Sequence, residues 1–219
     1  MKRLSLFLLY FSMASVLASV LLVVFMKYVS VRYTPLMLKR EIQFSKDTGF
    51  CTMQHWIALG DVSSEAIEAI VLSEDARFWE HGGIDLRELE RMLSAYRKGD
   101  GSLRGCSTIS QQVAKNCFTF CSDTFLRKAV ELYWTALIEL IWGKERILEV
   151  YLNVAEMGYG IYGIEAASQR YFHSSAKEIS LYDGAALAVC MPMPLERTPV
   201  TVWNTEQVKV RKLLCQLKK

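Results

Sequence analysis

An uncharged apolar run near the start of the chain dominates the pattern of hydrophobic and polar positions. Residues 4–26 carry no charge, with Lys2 and Arg3 before them and Lys27 directly after. About 20 apolar residues in a helix cross the hydrocarbon core of a bilayer. The run therefore predicts a single transmembrane helix that remains attached, within an N-terminal segment of tail and anchor at residues 1–30.

Two other interpretations of this run stay open at the level of the sequence. Small residues near Ala18 could mark the cleavage site of a signal peptide, but the apolar stretch continues beyond them, and signal peptides have shorter apolar regions. A buried helix of a globular domain is least favoured, because nothing polar breaks the stretch. The lysines and arginines on the two sides of the run do not decide its orientation.

The rest of the chain has a helical period almost throughout, after a less regular stretch. Residues 31–60 are mixed and weakly periodic and are interpreted as a connector, whereas residues 61–219 are expected to form one domain. No strand-like alternation competes with this period, so the pattern predicts a mainly α fold. Helix N-caps are expected at Ser63 or Ser64, Asp85, Ser107 and Ser180, with capping boxes that pair Asp85 with Glu88 and Ser180 with Asp183.

Composition narrows the class of protein without giving a function. The 219 residues carry a formal net charge of +3, which provides no electrostatic footprint for nucleic acid. The six cysteines match no zinc-site spacing, and pairs of them could oxidise if the domain is exported. Cys190 is expected to be a small buried hydrophobe, because it lies in an apolar helical stretch.

Two adjacent carboxylates begin the first of three polar constellations. Glu74 and Asp75 end a predicted helix and are followed by Phe78, Trp79 and His81. A carboxylate in a partly apolar cleft can act as a general base. The plainer interpretation is a polar helix end with both aromatic rings in the core, and His81 is expected to be a structural hydrogen-bonding residue.

The second constellation is a polar helix face within residues 105–116. Ser107, Gln111 and Lys115 are spaced four residues apart and are expected to stack on one side of a helix. Hydroxyl, amide and ammonium groups arranged in this way suit a sugar and a phosphate. An ordinary solvated face is the alternative.

The third constellation lies on an otherwise apolar helix. Arg127 and Glu131 are four residues apart, as are Glu131 and Thr135. A surface salt bridge worth a few tenths of a kcal/mol is the plain interpretation. Because the helix is apolar elsewhere, its charged face is expected to meet a cleft.

A group of large apolar side chains lies between the second and third constellations. Phe118, Phe120, Phe125 and Leu126 surround a short polar break and are hard to bury together in one segment. They are expected to form a patch that enters the outer leaflet of a membrane, and packing into the core is the alternative.

Taken in order, these motifs resemble the peptidoglycan glycosyltransferases of family 51. The resemblance covers roughly residues 60–200 and the anchor, and four ordered motifs are far more specific than any one of them. Cys106 stands where relatives have a second glycine, and Val130 where some have a lysine. The motifs are Glu74-Asp75…Phe78…His81…Gly83…Asp85, Gly105…Ser107-Thr108-Ile109…Gln111-Gln112…Lys115-Asn116, Arg127-Lys128…Glu131…Ala136…Glu139 and Ile147-Leu148-Glu149-Val150-Tyr151-Leu152-Asn153.

The resemblance implies a role for each matched residue. Glu74 is the expected general base on the 4-hydroxyl of the acceptor sugar, and Glu131 is the expected second catalytic carboxylate near the leaving group. Lys115, Arg127 and Lys128 are expected to favour the departing diphosphate. The other implied substrate-binding residues are Asp75, Ser107, Thr108, Gln111, Gln112 and Asn116.

The resemblance also implies a fold, a reaction and a location. The fold is a lysozyme-like, two-lobed glycosyltransferase domain behind the anchor, on the periplasmic (outer) face of the cytoplasmic membrane, with the tail before the anchor in the cytoplasm. The reaction joins lipid II into β-1,4-linked glycan strands, with inversion and release of undecaprenyl diphosphate. The expected partners are lipid II, the growing lipid-linked glycan chain and the membrane, with other cell-wall synthesis proteins left open and nucleic acid excluded. No cofactor is obligatory, while Mg²⁺ or Mn²⁺ at the diphosphate is left open.

Other functions fit parts of this pattern. A lysozyme-like glycan-cleaving enzyme also uses a cleft glutamate, but the cations at Lys115 and Arg127 and the retained anchor favour transfer. A non-catalytic membrane-anchored scaffold is disfavoured because Glu74 and Glu131 are both intact. The length leaves no room for a penicillin-binding domain, so the Ser-x-x-Lys pattern at residues 174–177 is interpreted as chance.

Overall fold

The fold is mainly α, as the helical period of the sequence predicts. The computed structural model describes residues 2–99, 107–120 and 125–217. The helices it contains are α1 (Lys2–Tyr28), α2 (Pro35–Gln43), α3 (Ser64–Asp75), α4 (Leu86–Arg97), α5 (Ile109–Phe118), α6 (Phe125–Ile141), α7 (Lys144–Val154), α8 (Ile164–Phe172), α9 (Leu181–Cys190), α10 (Pro199–Thr205) and α11 (Gln207–Leu217).

A small sheet departs from the expected all-helical pattern. Strands β1 (Met53–Gln54), β2 (Glu156–Gly158) and β3 (Ile161–Tyr162) pair in the order β1-β3-β2, with β1 parallel and β2 antiparallel to β3. Strands of two or three residues are too short for the alternation of apolar and polar positions to become visible in a sequence.

The expected connector contains regular structure. Thr34 accepts a hydrogen bond from the Met37 backbone and Pro35 occupies the first turn, so a helix begins there for ordinary capping reasons. Met37 is fully buried, and α2 packs against α5. The boundary at residue 60 stays a prediction, while the residues before it supply a helix and a strand to the same packed body.

Side-chain caps begin the helices, mostly where the sequence places them. Ser63 caps α3, Asp85 caps α4, and Ser180 forms the expected capping box with Asp183 at the start of α9. The expectation of a Ser107 cap is wrong, because Thr108 caps α5 and shares a capping box with Gln111. Of Ser107 and Thr108, only Thr108 is followed three residues later by a glutamine. The Gln111 side chain accepts the second hydrogen bond of the capping box from the Thr108 backbone.

The core forms where helices from distant parts of the sequence cross. Helix α3 packs closely on α9, and a Cβ atom at Gly184 would lie 2.6 Å from the Ala66 Cα atom. Helix α5 packs against α6 and α7, with Ile109 and Val113 fully buried. These contacts fix the ends of α3 and α5 beside each other, and the site is built there.

The apolar N-terminal helix α1 packs along α6 at its C-terminal half. The Trp142 indole donates to the Val23 carbonyl at 2.7 Å, and the Lys27 ammonium donates to the Ile141 carbonyl at 2.7 Å. The span Arg3–Tyr28 is long and apolar enough to cross a membrane, and 11% of its most apolar window is buried within the protein. This helix agrees with membrane anchoring.

The expected membrane patch divides into a core residue and exposed residues. Phe118 stacks on Trp134 with ring centroids 4.5 Å apart, so packing into the core is the correct interpretation for that ring. Phe120 and Leu126 are 73% and 71% exposed. The side chain of Phe125 lies outside the described part of the chain.

The cysteines that the structure describes are free thiols. Cys117 and Cys190 are buried, as expected for Cys190, and burial raises the pKa of each to about 12. Cys51 and Cys215 are exposed. Cys106 and Cys121 lie outside the described residues.

Candidate active site

Glu74 stands where two cavities of one cleft meet. The smaller cavity has a volume of about 280 Å³ and the larger about 490 Å³, and Ser73, Glu74 and Ser107 line both. Glu74 belongs to the last turn of α3, which is held in place by the crossing of α3 with α9. A group bound in either cavity therefore reaches the same carboxylate.

A chain of two hydrogen bonds holds the Glu74 carboxylate. The Gln112 side-chain amide donates to Glu74 Oε2 at 2.8 Å, and the Tyr151 hydroxyl donates to Gln112 Oε1 at 3.3 Å. Tyr151 is fully buried, and burial together with the nearby Glu74 raises its pKa well above the usual value of 10.0. The phenol therefore keeps its proton and remains a donor.

The environment of Glu74 favours its neutral form. Burial raises the pKa of the Glu74 carboxyl above its usual value of 4.5, and the charge of Asp75 adds to the effect. The Gln112 amide and the nearby Tyr151 hydroxyl act in the opposite direction and lower the pKa. A carboxylate with a raised pKa accepts a proton more readily at neutral pH, which is the property that a general base needs.

Asp75 joins the end of α3 to the start of α5. It is 7% exposed, and its two oxygens accept hydrogen bonds from His81 Nε2 at 2.9 Å and from the Ile109 backbone at 3.0 Å. The second bond also places a carboxylate at the positive end of the α5 dipole. Asp75 lines the smaller cavity, but these partners already occupy it, and His81 has the structural contact expected of it.

Thr108 and Gln111 are used mainly by the protein itself. The Thr108 hydroxyl donates to the Gly83 carbonyl at 2.7 Å, and Gln111 accepts a hydrogen bond from the Thr108 backbone. Gly83 has φ +92°, and a side chain there would lie 2.7 Å from the Thr135 methyl group. Ser107 precedes the helix, so the expected three-residue stack of Ser107, Gln111 and Lys115 does not form a single helix face.

The larger cavity gathers residues of the second constellation and Glu131 of the third, whereas Arg127 and Lys128 are not among the residues that line either cavity. Lys115 is partly exposed and lines this cavity together with Asn116, Gln111, Gln112 and Glu131. An ammonium group beside polar amides in a cleft is suited to an anionic ligand. The structure thus puts Lys115 and these amides on one side of Glu74, and their role in binding substrate stays a prediction.

Glu131 lies on the adjacent helix α6 and pairs with two cationic side chains of the same helix. It is 2% exposed, the Lys128 ammonium forms a short hydrogen bond with it, and Arg127 Nη1 lies 3.8 Å from its carboxylate. Lys128 also donates to Gln111 at 3.4 Å, which connects α6 to α5. The charged face of α6 thus meets the cleft, as the sequence predicts.

Two contributors to the cleft were missed by the sequence analysis. Arg40 on α2 lines the larger cavity and forms a salt bridge with buried Glu156 at 2.8 Å. Its position in an irregular stretch gave no signal of a site. Tyr151 belongs to the motif at residues 147–153, but the sequence alone assigns it no role. A phenol in an otherwise apolar helix is the signal that could have indicated one.

One described cluster has the spacing of a metal site, but its atoms already have protein partners. Ligand atoms of Asp75, His81 and Asp85 lie within 4.8 Å of one another. Asp75 pairs with His81, and Asp85 pairs with Arg77 at 2.9 Å and caps α4. These contacts explain the cluster as a structural junction.

A mainly helical domain behind an apolar N-terminal helix, with a partly buried glutamate lining both cavities of one polar cleft, has the arrangement of an enzyme active site. Residues 43–218 match the family described as Transglycosylase, and the chain belongs to that family. The lysozyme-like fold expected from the sequence agrees with this membership.

Curated relatives cover most of the chain. It is similar to the "Biosynthetic peptidoglycan transglycosylase" of Vibrio parahaemolyticus, with 44% identity over 195 residues, 89% of this chain and 86% of the relative. Proteins of the same name from Chromohalobacter salexigens and Shewanella frigidimarina are 42% and 46% identical, over 87% and 71% of this chain and 81% and 69% of their own lengths.

Proposed function

We propose that this enzyme polymerises lipid II into β-1,4-linked glycan strands and releases undecaprenyl diphosphate, with Glu74 as the general base. The observation that carries the proposal is the position of Glu74 between two cavities, one of which is also lined by Lys115 and by Glu131, the carboxylate that pairs with Arg127 and Lys128. The names of the relatives, which describe peptidoglycan transglycosylases, support the same substrate class.

The chemistry follows from that arrangement. Glu74 takes the proton of the acceptor 4-hydroxyl as its oxygen attacks the anomeric carbon of the donor. The bond from that carbon to the diphosphate breaks, and the diphosphate leaves with the bonding electrons. Attack from the face opposite the leaving group inverts the anomeric centre. Lys115, Arg127 and Lys128 stabilise the negative charge that develops on the diphosphate.

Side-chain cations already pair with the described carboxylates at the proposed diphosphate position, where Mg²⁺ or Mn²⁺ would also lie. Besides Glu74, the carboxylates lining the larger cavity are Glu131 and Glu156. Glu131 pairs with Arg127 and Lys128, and Glu156 pairs with Arg40. Each carboxylate is therefore neutralised by a side chain, and no step of the mechanism is assigned to a metal.

We place the domain on the outer face of the cytoplasmic membrane, with α1 as the anchor. The length and apolar character of α1 support the anchor, and the substrate proposed for the cleft supports the outer face. Lipid II and the growing lipid-linked chain are then supplied from the same bilayer that holds α1.

The decisive experiment incubates the purified full chain with labelled lipid II in detergent and separates the products by gel electrophoresis. A ladder of lengthening glycan strands is the expected result. Incubation with preformed glycan tests the glycan-cleaving alternative, which predicts shorter fragments. A scaffold without activity would leave both substrates unchanged and would refute the proposal.

A further inference from the structure

A groove outside the cleft carries an exposed tryptophan that the mechanism does not use. Helices α3 and α11 form its walls, and it encloses about 420 Å³; we call it the α3–α11 groove. Ile67, Val71 and Leu72 contribute its apolar surface, while Glu68 and Gln216 contribute polar groups. Trp79 closes one end and is 55% exposed, so the sequence-based alternative that buried this ring is wrong.

The groove is continuous with the catalytic cleft. Leu72 and Ala76 line both the α3–α11 groove and the smaller cavity beside Glu74. Helix α3 has 12 residues, which gives its face a length of about 18 Å. A polymer bound in the smaller cavity can therefore continue onto the groove without leaving the protein surface.

The Trp79 ring packs against the buried ring that precedes it in the sequence. It packs edge-on against Phe78, with ring centroids 5.0 Å apart and planes at 70°. Phe78 is fully buried, and the Lys144 ammonium lies 4.4 Å from its ring centroid. An indole supported in this way loses little conformational freedom when a ligand covers its open surface.

The lining of the groove fits a sugar chain. Ligand sites combine apolar and aromatic walls with a few polar groups that fix orientation. A pyranose ring has an apolar face of C–H groups and a rim of hydroxyls, so it can stack on an indole while hydrogen bonding at its edge. Helix α1 packs along α6 rather than along α3 or α11, so the groove is not formed by the elements that hold the anchor.

We propose that the α3–α11 groove binds saccharide units of the glycan strand beyond the catalytic cleft, with Trp79 as the stacking platform. The proposal rests on the proposed function for the identity of the strand. It assigns to this chain a second carbohydrate-binding surface that holds the polymer between successive additions.

The test measures binding of a lipid-free tetrasaccharide of alternating N-acetylglucosamine and N-acetylmuramic acid to the full chain in detergent micelles. Trp79→Ala should weaken binding about tenfold, the upper range for one aromatic contact, and Trp79→Tyr should recover part of the loss. Tyr96→Ala is the matched control, because Tyr96 is 56% exposed but lines neither the groove nor the cleft cavities. It should bind as the wild type does.

A second pair of substitutions guards against a folding defect in Trp79→Ala. Glu68 and Gln216 are exposed, so Glu68→Ala combined with Gln216→Ala should leave the melting temperature unchanged and weaken tetrasaccharide binding severalfold. Glycan strands made from lipid II should be shorter with Trp79→Ala than with Tyr96→Ala.

The two proposals fail in different ways. Equal tetrasaccharide affinity for wild type, Trp79→Ala and the Glu68 and Gln216 double variant would overturn the groove proposal, whether or not lipid II is polymerised. Binding that depends on Trp79 in an enzyme that makes no polymer would leave the groove standing and refute the proposed function.

Discussion

At the scale of single residues, the proposed chemistry depends on how Glu74 is surrounded. Glu74→Gln keeps the size of the side chain but removes the group that accepts a proton. A positioned general base contributes roughly 10²–10⁴-fold, so polymerisation should fall by that order. Rates measured with labelled lipid II check the prediction, and turnover near that of the wild type would rule out Glu74 as the base.

The pH dependence of the free energy of unfolding gives an independent test of the raised pKa of Glu74. Burial raises the pKa of folded Glu74 above 4.5, so the folded state loses stability relative to the unfolded state as pH rises through that pKa. Glu74→Gln removes this dependence. Thermal unfolding at several pH values should show the variant gaining stability relative to wild type as pH increases, and a constant difference would contradict the raised pKa.

The Gln112 amide is expected to set the pH dependence of activity. Activity requires deprotonated Glu74, so the raised pKa puts the acid limb of the rate profile above the range of an ordinary glutamate. Gln112→Met removes a hydrogen bond that lowers this pKa, so the limb should move to higher pH. A purely structural role for Gln112 would lower the rate equally at every pH.

Substitution of Lys115 tests the proposed stabilisation of the departing diphosphate. Lys115→Ala should reduce polymerisation strongly, because the diphosphate would develop charge without its cation, and Lys115→Arg should restore only part of the rate. Lys39→Ala is the control, since Lys39 is an exposed lysine outside both cavities. Equal steady-state rates for Lys115→Ala and Lys39→Ala would make Lys115 an ordinary surface lysine.

At the scale of elements, the sequence predicts the helices whose position depends on interactions between residues close in the chain. The period of apolar positions predicts α3 to α9, and short polar side chains predict their starts at Ser63, Asp85 and Ser180. The strands of two or three residues and helix α2 escape prediction, because pairing with distant segments and packing on α5 stabilise them. Their own residues show no period.

Helix α2 shows how a segment without a visible motif can hold a site together. Arg40→Ala would leave Glu156 buried without its cation, which is expected to cost about 3 kcal/mol of unfolding free energy. The double variant Arg40→Met with Glu156→Gln should recover much of that loss, because no uncompensated charge remains. Denaturant unfolding of the three proteins checks the pairing, and a double variant no more stable than Arg40→Ala would contradict it.

At the scale of the whole molecule, membrane contact is expected to involve more than the anchor. Phe120 and Leu126 are each more than 70% exposed, whereas Phe118 is packed on Trp134. Replacing Phe120 and Leu126 by serine should reduce activity on lipid II in liposomes more than in detergent, with no change in melting temperature. Phe118→Ser should lower the melting temperature, and equal losses in both media would exclude a bilayer role for the two exposed residues.

The candidate site as a whole could be predicted in its parts but not in its arrangement. Motif residues at Glu74, Lys115 and Glu131 were identified by type and order, because an ordered set of motifs resembles a family. The division of contacts among them depends on geometry: Asp75 and Gln111 bond within the protein, while Gln112 holds the Glu74 carboxylate. The spacing of residues in a sequence does not distinguish a side-chain amide that binds substrate from one that bonds to another residue of the protein.

The junction between α1 and the domain has a consequence for how substrate is found. Trp142, Lys27 and Arg146 bond to backbone carbonyls on either side of this junction, so anchor and domain are joined through hydrogen-bonded backbone. With α1 in a bilayer, as we propose, these bonds would hold the mouth of the cleft at one height and tilt relative to the membrane. Encounter with the proposed lipid-borne substrate would then be a search in two dimensions at fixed depth, and the local concentration would be set by the area of the membrane.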